Sequence, residues 1–305
     1  MSVAISFTAY GDADQLTTVE AEAPQPGPGE VQLRVRAAGV NPVDWKLRAG
    51  YLAAVMPLEL PHVLGLEAAG TVTAVGAGVT RWSVGDEVFG RVPAAYAEYA
   101  VTAENALAAK PAELSWEQAG ALHMAAETST RALAALGLAK GETLLVHGAA
   151  GGVGAVAVQF AVAAGARVIG TASPANHDYL RELGAEPVEY GDEVFDRVRA
   201  VASEGVDAVL DTAGGYLAGS VALLGGGARV LSIVNPQEAE EAGASFTGSD
   251  PEADHTPAAL AKVLELTAAG TFRLPLRAVL PLAEAARAHR LSEQGHGRGR
   301  IVLTV

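Results

Sequence analysis

A doubly wound parallel α/β sheet joined to a β-rich barrel domain is the fold class that the amino-acid sequence predicts. Three observations lead there. The stretch from Glu142 to Ser173, ETLLVHGAAGGVGAVAVQFAVAAGARVIGTAS, reads as strand, glycine-rich turn, helix and second strand. The texture of the chain changes near residue 116, from short alternating runs to a repeated strand-then-helix pattern. The length, 305 residues, exceeds what one compact core of average size accommodates, so two domains are expected.

In the first 115 residues Val31, Leu33 and Val35 alternate with Gln32, Arg34 and Arg36, and turns such as Pro26-Gly27-Pro28-Gly29 separate such runs. A period of two puts one set of side chains on an inner face, as in a barrel or sandwich. Between 116 and 270 the candidate strands are 142–147, 166–171, 187–190, 206–211, 228–234 and 244–247, with helical patterns between most of them. Six such units make a parallel sheet covered on both faces. After Gly270 come a short strand near 277–280, a helix over 283–292 and a last strand over 300–305, a tail able to complete either domain.

The glycine-rich turn carries chemistry. Gly148, Gly151, Gly152 and Gly154 lie between the apolar run Thr143-Leu144-Leu145-Val146 and a small-residue helix that begins near Val153. Glycine permits a tight turn and close approach of backbone to a phosphate. Unpaired N–H groups and the dipole at the helix start then attract an anion. In this context the pattern predicts binding of a dinucleotide pyrophosphate by Ala150, Gly151, Gly152 and Val153, and with it redox chemistry.

Composition narrows the classes. A net charge of −14 argues against nucleic acid or an anionic membrane as partner. It also means that a phosphate site relies on local helix termini and a few arginines. The absence of cysteine excludes disulfides, thiol nucleophiles and any cysteine-containing zinc site. The N-terminus MSVAISFTAYGDAD has no basic region followed by an apolar core, so a cytoplasmic protein is the expectation.

With both halves read, the chain resembles the medium-chain dehydrogenase/reductase superfamily. The resemblance rests on AAGVNPVDWKLRAGY at 37–51, GLEAAGTVTAVGAGVTRWSVGDEVFG at 65–90, GAAGGVG at 148–154, LDTAGG at 210–215 and GHGRGRIVL at 295–303. It points to the zinc-independent quinone oxidoreductase and enone reductase branch. It implies a GroES-like catalytic barrel over 1–115, completed by 271–305, and a Rossmann NADP(H)-binding domain over 116–270. Zinc-dependent relatives place a cysteine near Asn41 and a histidine at Leu66, and neither is present here. His62 alone makes no metal site, and Glu67 reads as a structural carboxylate beneath the cleft. No metal is expected.

Without a Lewis acid, conjugate reduction of a quinone or enone is the chemistry that asks least. The charge left by hydride addition delocalises onto a carbonyl oxygen, which a few donors can stabilise. The resemblance makes Asn41, Lys46 and Tyr51 the catalytic candidates. Asn41 either donates to a carbonyl oxygen or is a turn residue before Pro42. Lys46 either meets the developing oxyanion or is a solvent lysine. Tyr51 is either a donor to substrate or a lid aromatic. Asp44 is expected to orient Lys46 or a neighbouring backbone group.

For the cofactor, the resemblance adds Thr128, Tyr190, Val234 and Asn235. Arg298 and Arg300 either reach the cofactor phosphates or form a basic strand entry. His123 and Glu127, one turn apart, either tune the site or form an ion pair. The end of the second strand, Gly170-Thr171-Ala172-Ser173, has no acidic side chain for the adenine ribose. Ser173 followed by Pro174 reads as an N-cap opening a helix over 174–183. That favours NADP(H) over NAD(H), although Arg181 is the only nearby cation. Asp211, which ends a strand facing the nucleotide crevice, and Asp207 are poor candidates for proton transfer.

The expected function is therefore an NADPH-dependent, zinc-independent reductase of a small hydrophobic quinone, enone or similar activated carbonyl compound. The alternatives are a dedicated biosynthetic reductase for one polyketide-like intermediate, a metal-free alcohol dehydrogenase and a non-catalytic NADPH-binding protein. Segments 51–62 and 235–254 are the expected lids. A homodimer, through edge-to-edge extension of the parallel sheets near Gly243 to Thr247, is expected by analogy with the family.

Overall fold

The computed structural model describes residues 2–248, 254–295 and 297–305. The chain divides into two compact units, Met1–Met124 with Val263–Val305, and Ala125–Lys262. The divisions fall later than 115 and earlier than 271 for a physical reason at the first boundary. The helix Trp116–Gly120 and the turn after it belong to the β-rich unit, where Trp116 and Ala121 pack on Ala37 and Val302. Gly120 lies so close to the Ala37 carbonyl that a Cβ there would sit 2.5 Å from its oxygen.

The β-rich unit is organised by its longest strand, Glu30–Val40. Val31, Leu33 and Val35 are buried and Arg34 and Arg36 exposed, as the alternation requires. Gln32 departs from the pattern. It is buried, with its amide donating to the Pro24 carbonyl at 2.7 Å and accepting from Thr73 at 2.7 Å. The strand pairs antiparallel with Glu67–Val75 along one edge, with irregularities between Gln32 and Leu33 and between Val35 and Ala37. Such bulges let a strand coil. Tyr99–Ala103 pairs with the first half of its other edge and Arg300–Thr304 with the second half. The C-terminal tail thus completes the β-rich unit, with Leu276–Pro281 parallel to Arg300–Thr304. Phe7, Leu33, Val72, Val88, Tyr96 and Leu303 form the core, each large apolar side chain contributing about 2 kcal/mol by burial.

The second unit holds a six-stranded, all-parallel sheet in the order Glu186–Glu189, Arg167–Ala172, Thr143–His147, Ala208–Asp211, Val230–Ser232 and Ser245–Phe246. All six expected strands form. The sequence of addition reverses between Thr143–His147 and Ala208–Asp211, the switch point where doubly wound sheets bind nucleotides. Successive residues of the central strands enter opposite cores. Leu144, Val146, Val168 and Leu210 pack on one face, and Leu145, Ile169, Val209 and Val230 on the other. The expected helix over 174–183 is a 3-10 turn, Pro174–Asn176, followed by the helix His177–Glu182. Of the expected lid 235–254, residues 249–253 lie outside the described residues.

Candidate functional site

The parallel-sheet unit contains the glycine loop in the expected place. Gly148 has φ +74°, and a Cβ there would lie 2.7 Å from Thr212 Oγ1. At Gly154 a Cβ would lie 2.3 Å from the Gly148 carbonyl oxygen. These two positions exclude side chains, so the loop folds back on itself and the helix Gly154–Ala163 starts directly above the strand. Gly148 N–H donates to Thr171 Oγ1 at 3.2 Å, Ala149 N–H to the Thr171 carbonyl at 3.1 Å and Gly151 N–H to the Gly148 carbonyl at 2.9 Å. Ala150 is buried, while Gly151, Gly152 and Val153 are half-buried at the start of a ten-residue helix. First-turn amides have no acceptor within a helix, so a glycine-walled cradle at this point fits a pyrophosphate.

Around the loop the expected contacts separate. Ser173 occupies the N-cap position before Pro174, but its hydroxyl makes no capping bond and instead accepts from Asn176 Nδ2 at 3.1 Å. Arg181 is paired with Asp178 at 2.6 Å on the surface. Tyr190 is half-exposed just past its strand, and its carbonyl accepts from Arg197. Val234 N–H donates to Ser232 Oγ at 3.1 Å. Asn235 is an N-cap, its Oδ1 accepting from the amides of Gln237 and Glu238 at 3.0 and 3.3 Å. The Asn-Pro-Gln-Glu order is a capping signal that sequence reasoning passed over.

Thr128 is buried, and its hydroxyl donates to Glu127 at 3.4 Å. Glu127 takes Arg131, one turn on, as its ion partner at 2.9 Å. Asp211 is fully buried, accepting from the amides of Ala213 and Gly214 and from Ser232 Oγ, which makes it a loop anchor. Sequence reasoning missed His147. It ends the central strand, fully buried, with its ring stacked on Tyr216 at 4.8 Å. Burial pulls its pKa down to about 4 against the opposing pull of Asp211.

In the β-rich unit the motif at 37–51 forms a buried polar cluster. Asn41 is 3% exposed, donates from Nδ2 to Glu67 Oε1 at 2.8 Å and accepts at Oδ1 from Arg300 at 2.6 Å. Glu67, wholly buried, also accepts from Arg300 at 2.5 Å and, at Oε2, from Met124 N–H at 2.8 Å. Arg300 Nε donates to the Ala121 carbonyl at 2.8 Å. The phosphate role considered for Arg300 is therefore corrected. Its guanidinium is 4% exposed and tied to Glu67, Asn41 and Ala121, so its work is to neutralise a buried carboxylate. Arg298 lies exposed in the preceding turn.

Asp44 is fully buried beside this cluster. Its Oδ2 accepts from Asn41 N–H at 2.7 Å and from the Tyr96 hydroxyl at 3.1 Å, while Oδ1 has no hydrogen-bond partner. Of the two roles expected for Asp44, it takes the backbone one. Desolvation raises its pKa to about 7, the hydrogen bonds and Arg300 pull it back, and Glu67 pushes it up. His289 Nε2 meets the Tyr96 hydroxyl at 3.3 Å, and burial with the Arg48 charge lowers its pKa to about 3.

Lys46 and Tyr51 both lie against Trp45. Tyr51, 73% exposed, sets its ring edge against Trp45 at 5.8 Å, and Lys46 Nζ lies 5.9 Å from the same indole. Trp45 and Tyr51 line a cavity of about 460 Å³ with Arg48, Asp12 and Glu293.

No group of three or more metal-ligating side chains occurs among the described residues. Both Glu67 oxygens already accept hydrogen bonds and a guanidinium lies on one of them, which does not fit a zinc ion. His62 is half-buried in a two-residue strand and edge-on to Phe7. No helix among the described residues is long and apolar enough to cross a membrane.

Comparison with known proteins agrees with this geometry. Residues 27–112 match the alcohol dehydrogenase GroES-like domain family, and residues 183–303 match a family described as zinc-binding dehydrogenase. The chain is 34% identical to the quinone oxidoreductase of Sus scrofa over 302 residues, covering 92% of this chain and 90% of that protein. The match to a chloroplastic quinone-oxidoreductase homologue of Spinacia oleracea covers 60% of that protein's length. Among solved structures, the quinone oxidoreductase of Coxiella burnetii superposes with a TM-score of 0.85 at 30% identity, covering 100% of this chain and 99% of that one. A mycobacterial protein solved in complex with NADPH gives 0.85 at 31% identity, covering 99% of this chain and 100% of that one.

Proposed function

The chain belongs to the quinone oxidoreductase branch of the medium-chain dehydrogenase/reductase superfamily, and from that premise we propose that it is a metal-independent reductase that uses NADPH to reduce a quinone, enone or related activated carbonyl compound. The glycine loop carries the proposal, because Gly148 and Gly154 leave no room for side chains and so let the turn close tightly at the start of the helix Gly154–Ala163, where a pyrophosphate would rest. The saturated Glu67 supports the metal-free part, and the zinc in the matched family's description finds no ligand set among the described residues.

The nicotinamide supplies a hydride when bound. The amides of Ala150, Gly152 and Val153 would hold the pyrophosphate, with Gly151 walling the cradle, Thr128, Val234 and Asn235 as further contacts and Tyr190 and Ser173 toward the adenosine end. The absence of a carboxylate in Thr171-Ala172-Ser173 supports NADPH over NADH, and the mycobacterial neighbour was solved with NADPH. Lys46 and Tyr51 donate to the substrate oxygen as charge develops on it. Asn41, with both ends of its amide engaged, holds the start of the helix Pro42–Arg48, which carries Lys46 and leads into the turn of Tyr51. The exposed apolar Val55 and Met56 of the segment after Tyr51 suit a neutral hydrophobic substrate. The exposed Ser245–Phe246 edge of the parallel sheet suits a homodimer.

A second reading has its own support. The chain is 36% identical over 97% of its length to a segment making up 5% of the polyketide synthase GfsB of Streptomyces halstedii. The CurK enoyl reductase superposes with a TM-score of 0.87 at 28% identity. In that reading the acceptor is an enoyl thioester.

Initial rates of NADPH and NADH oxidation with benzoquinone, phenanthrenequinone, a small enone and an enoyl thioester test both. NADPH-preferring turnover of the quinones or the enone, unchanged by chelator, is the expected result. Turnover of the thioester alone selects the second reading. Binding of NADPH with no acceptor reduced defeats both.

A further inference from the structure

We propose that His147 is a positioning residue for the dinucleotide loop: a neutral imidazole, held in one tautomer, ties Gly148 through Thr171 to the helix Leu217–Leu224. The inference rests on the dinucleotide-binding reading above and assigns work to a residue that reading does not use.

The directions of four hydrogen bonds define the chain. Gly148 N–H donates to Thr171 Oγ1 at 3.2 Å, so the oxygen acts as acceptor and its own proton needs another partner. His147 Nδ1 lies 3.4 Å from that oxygen and takes it. At the far end, Ser220 Oγ donates to the Tyr216 carbonyl at 2.8 Å, which leaves its lone pairs for His147 Nε2 at 3.1 Å. One tautomer meets both demands, with Nδ1 accepting and Nε2–H donating. Ser220 has spent its proton, so Nε2 must donate, and burial keeps the ring neutral, which leaves Nδ1 as the acceptor for Thr171. Tyr216, stacked at 14° to the ring, and Phe195, edge-on at 5.9 Å, block its rotation.

The chain fixes an amide that loop geometry alone leaves poorly determined. Gly148 sits at φ +74° and has no side chain to hold it, yet its carbonyl is where the turn closes on Gly151. Thr212 Oγ1 secures the other side by donating to the His147 carbonyl at 2.7 Å. Without the Thr171 acceptor the half-buried Gly148 amide loses its partner, and the turn relaxes toward solvent. The amides of Ala150, Gly152 and Val153 then no longer converge on one anion. Thr171 and His147 act through the loop and touch no phosphate themselves.

The test uses the full chain and measures dissociation constants by titration calorimetry for NADPH and for adenosine 2′-monophosphate, which lacks the pyrophosphate. Thr171→Val and His147→Phe each weaken NADPH by about tenfold, the worth of one hydrogen bond, and leave adenosine 2′-monophosphate within about twofold. Thr171→Ser, which keeps the hydroxyl, restores NADPH binding. The double variant is no weaker than the weaker single one, because both break the same chain. Equal losses for both ligands, or NADPH binding unchanged in Thr171→Val, overturn the inference and leave the dinucleotide reading intact. A wild-type protein that binds neither NADPH nor NADH overturns that reading and the inference with it.

Discussion

Replacing Asp44 with asparagine should stabilise the protein in mild alkali and destabilise it in mild acid. Asp44 is fully buried, with Tyr96, Glu67 and Arg300 as its charged or titratable neighbours, and its pKa stands at about 7 against an ordinary 3.8. A carboxyl raised in this way contributes its full stability below the unfolded value and loses it as pH rises through the folded one. The interval from 3.8 to about 7 corresponds to about 4 kcal/mol of penalty on the ionised form. Asparagine keeps an acceptor for Asn41 N–H and Tyr96 but puts an amide N–H where Oδ1 has no partner, at about 1–3 kcal/mol. The variant should therefore lie below wild type near pH 4 and above it beyond pH 8. Their difference should move by about 4 kcal/mol between those limits. Urea unfolding at each pH reads this directly, and the difference cancels the other titrating groups. A variant that stays below wild type by a constant amount from pH 4 to pH 8 would show that Asp44 does not carry this proton.

Two further substitutions probe the two units. Gly154→Ala sets a Cβ 2.3 Å from the Gly148 carbonyl, so the loop must open. About 1–3 kcal/mol of stability and at least about tenfold in NADPH affinity should be lost, read by melting and titration. Arg300→Met leaves the wholly buried Glu67 with only neutral donors. That should cost about 3–5 kcal/mol, with part of it recovered by adding Glu67→Gln, as seen in urea midpoints. An Arg300→Met variant with weakened NADPH binding but unchanged stability would return Arg300 to the phosphate role.

Much of this was legible in the chain because the signals are local. Central strands buried on both faces read as apolar runs, and glycine is required where backbone meets backbone, so Thr143–His147 and its loop stand out. Partners distant in sequence do not. Arg300 finds Glu67 across 233 positions, and nothing in GHGRGRIVL distinguishes a buried arginine from a phosphate contact. His147 hides at the end of an apolar run, and its role emerges only when Thr171 and Ser220 are brought to either side of its ring. At Asn235 a capping pattern and a loop contact use the same residue type, and the sequence reading named the contact while passing over the cap. Strand ends were overestimated where polar residues anchor neighbours. Asp207, for instance, accepts from Thr143 N–H at 2.8 Å before the strand Ala208–Asp211 begins.

The measurement that bears most directly on the account follows the hydride itself. Chelator-treated protein would be incubated with C4-dideuterated NADPH and a small enone, and the product examined by mass spectrometry for deuterium on carbon. The account predicts one deuterium per product molecule, formed at the same rate with and without chelator. Product without the label, or activity that depends on added zinc, would contradict it.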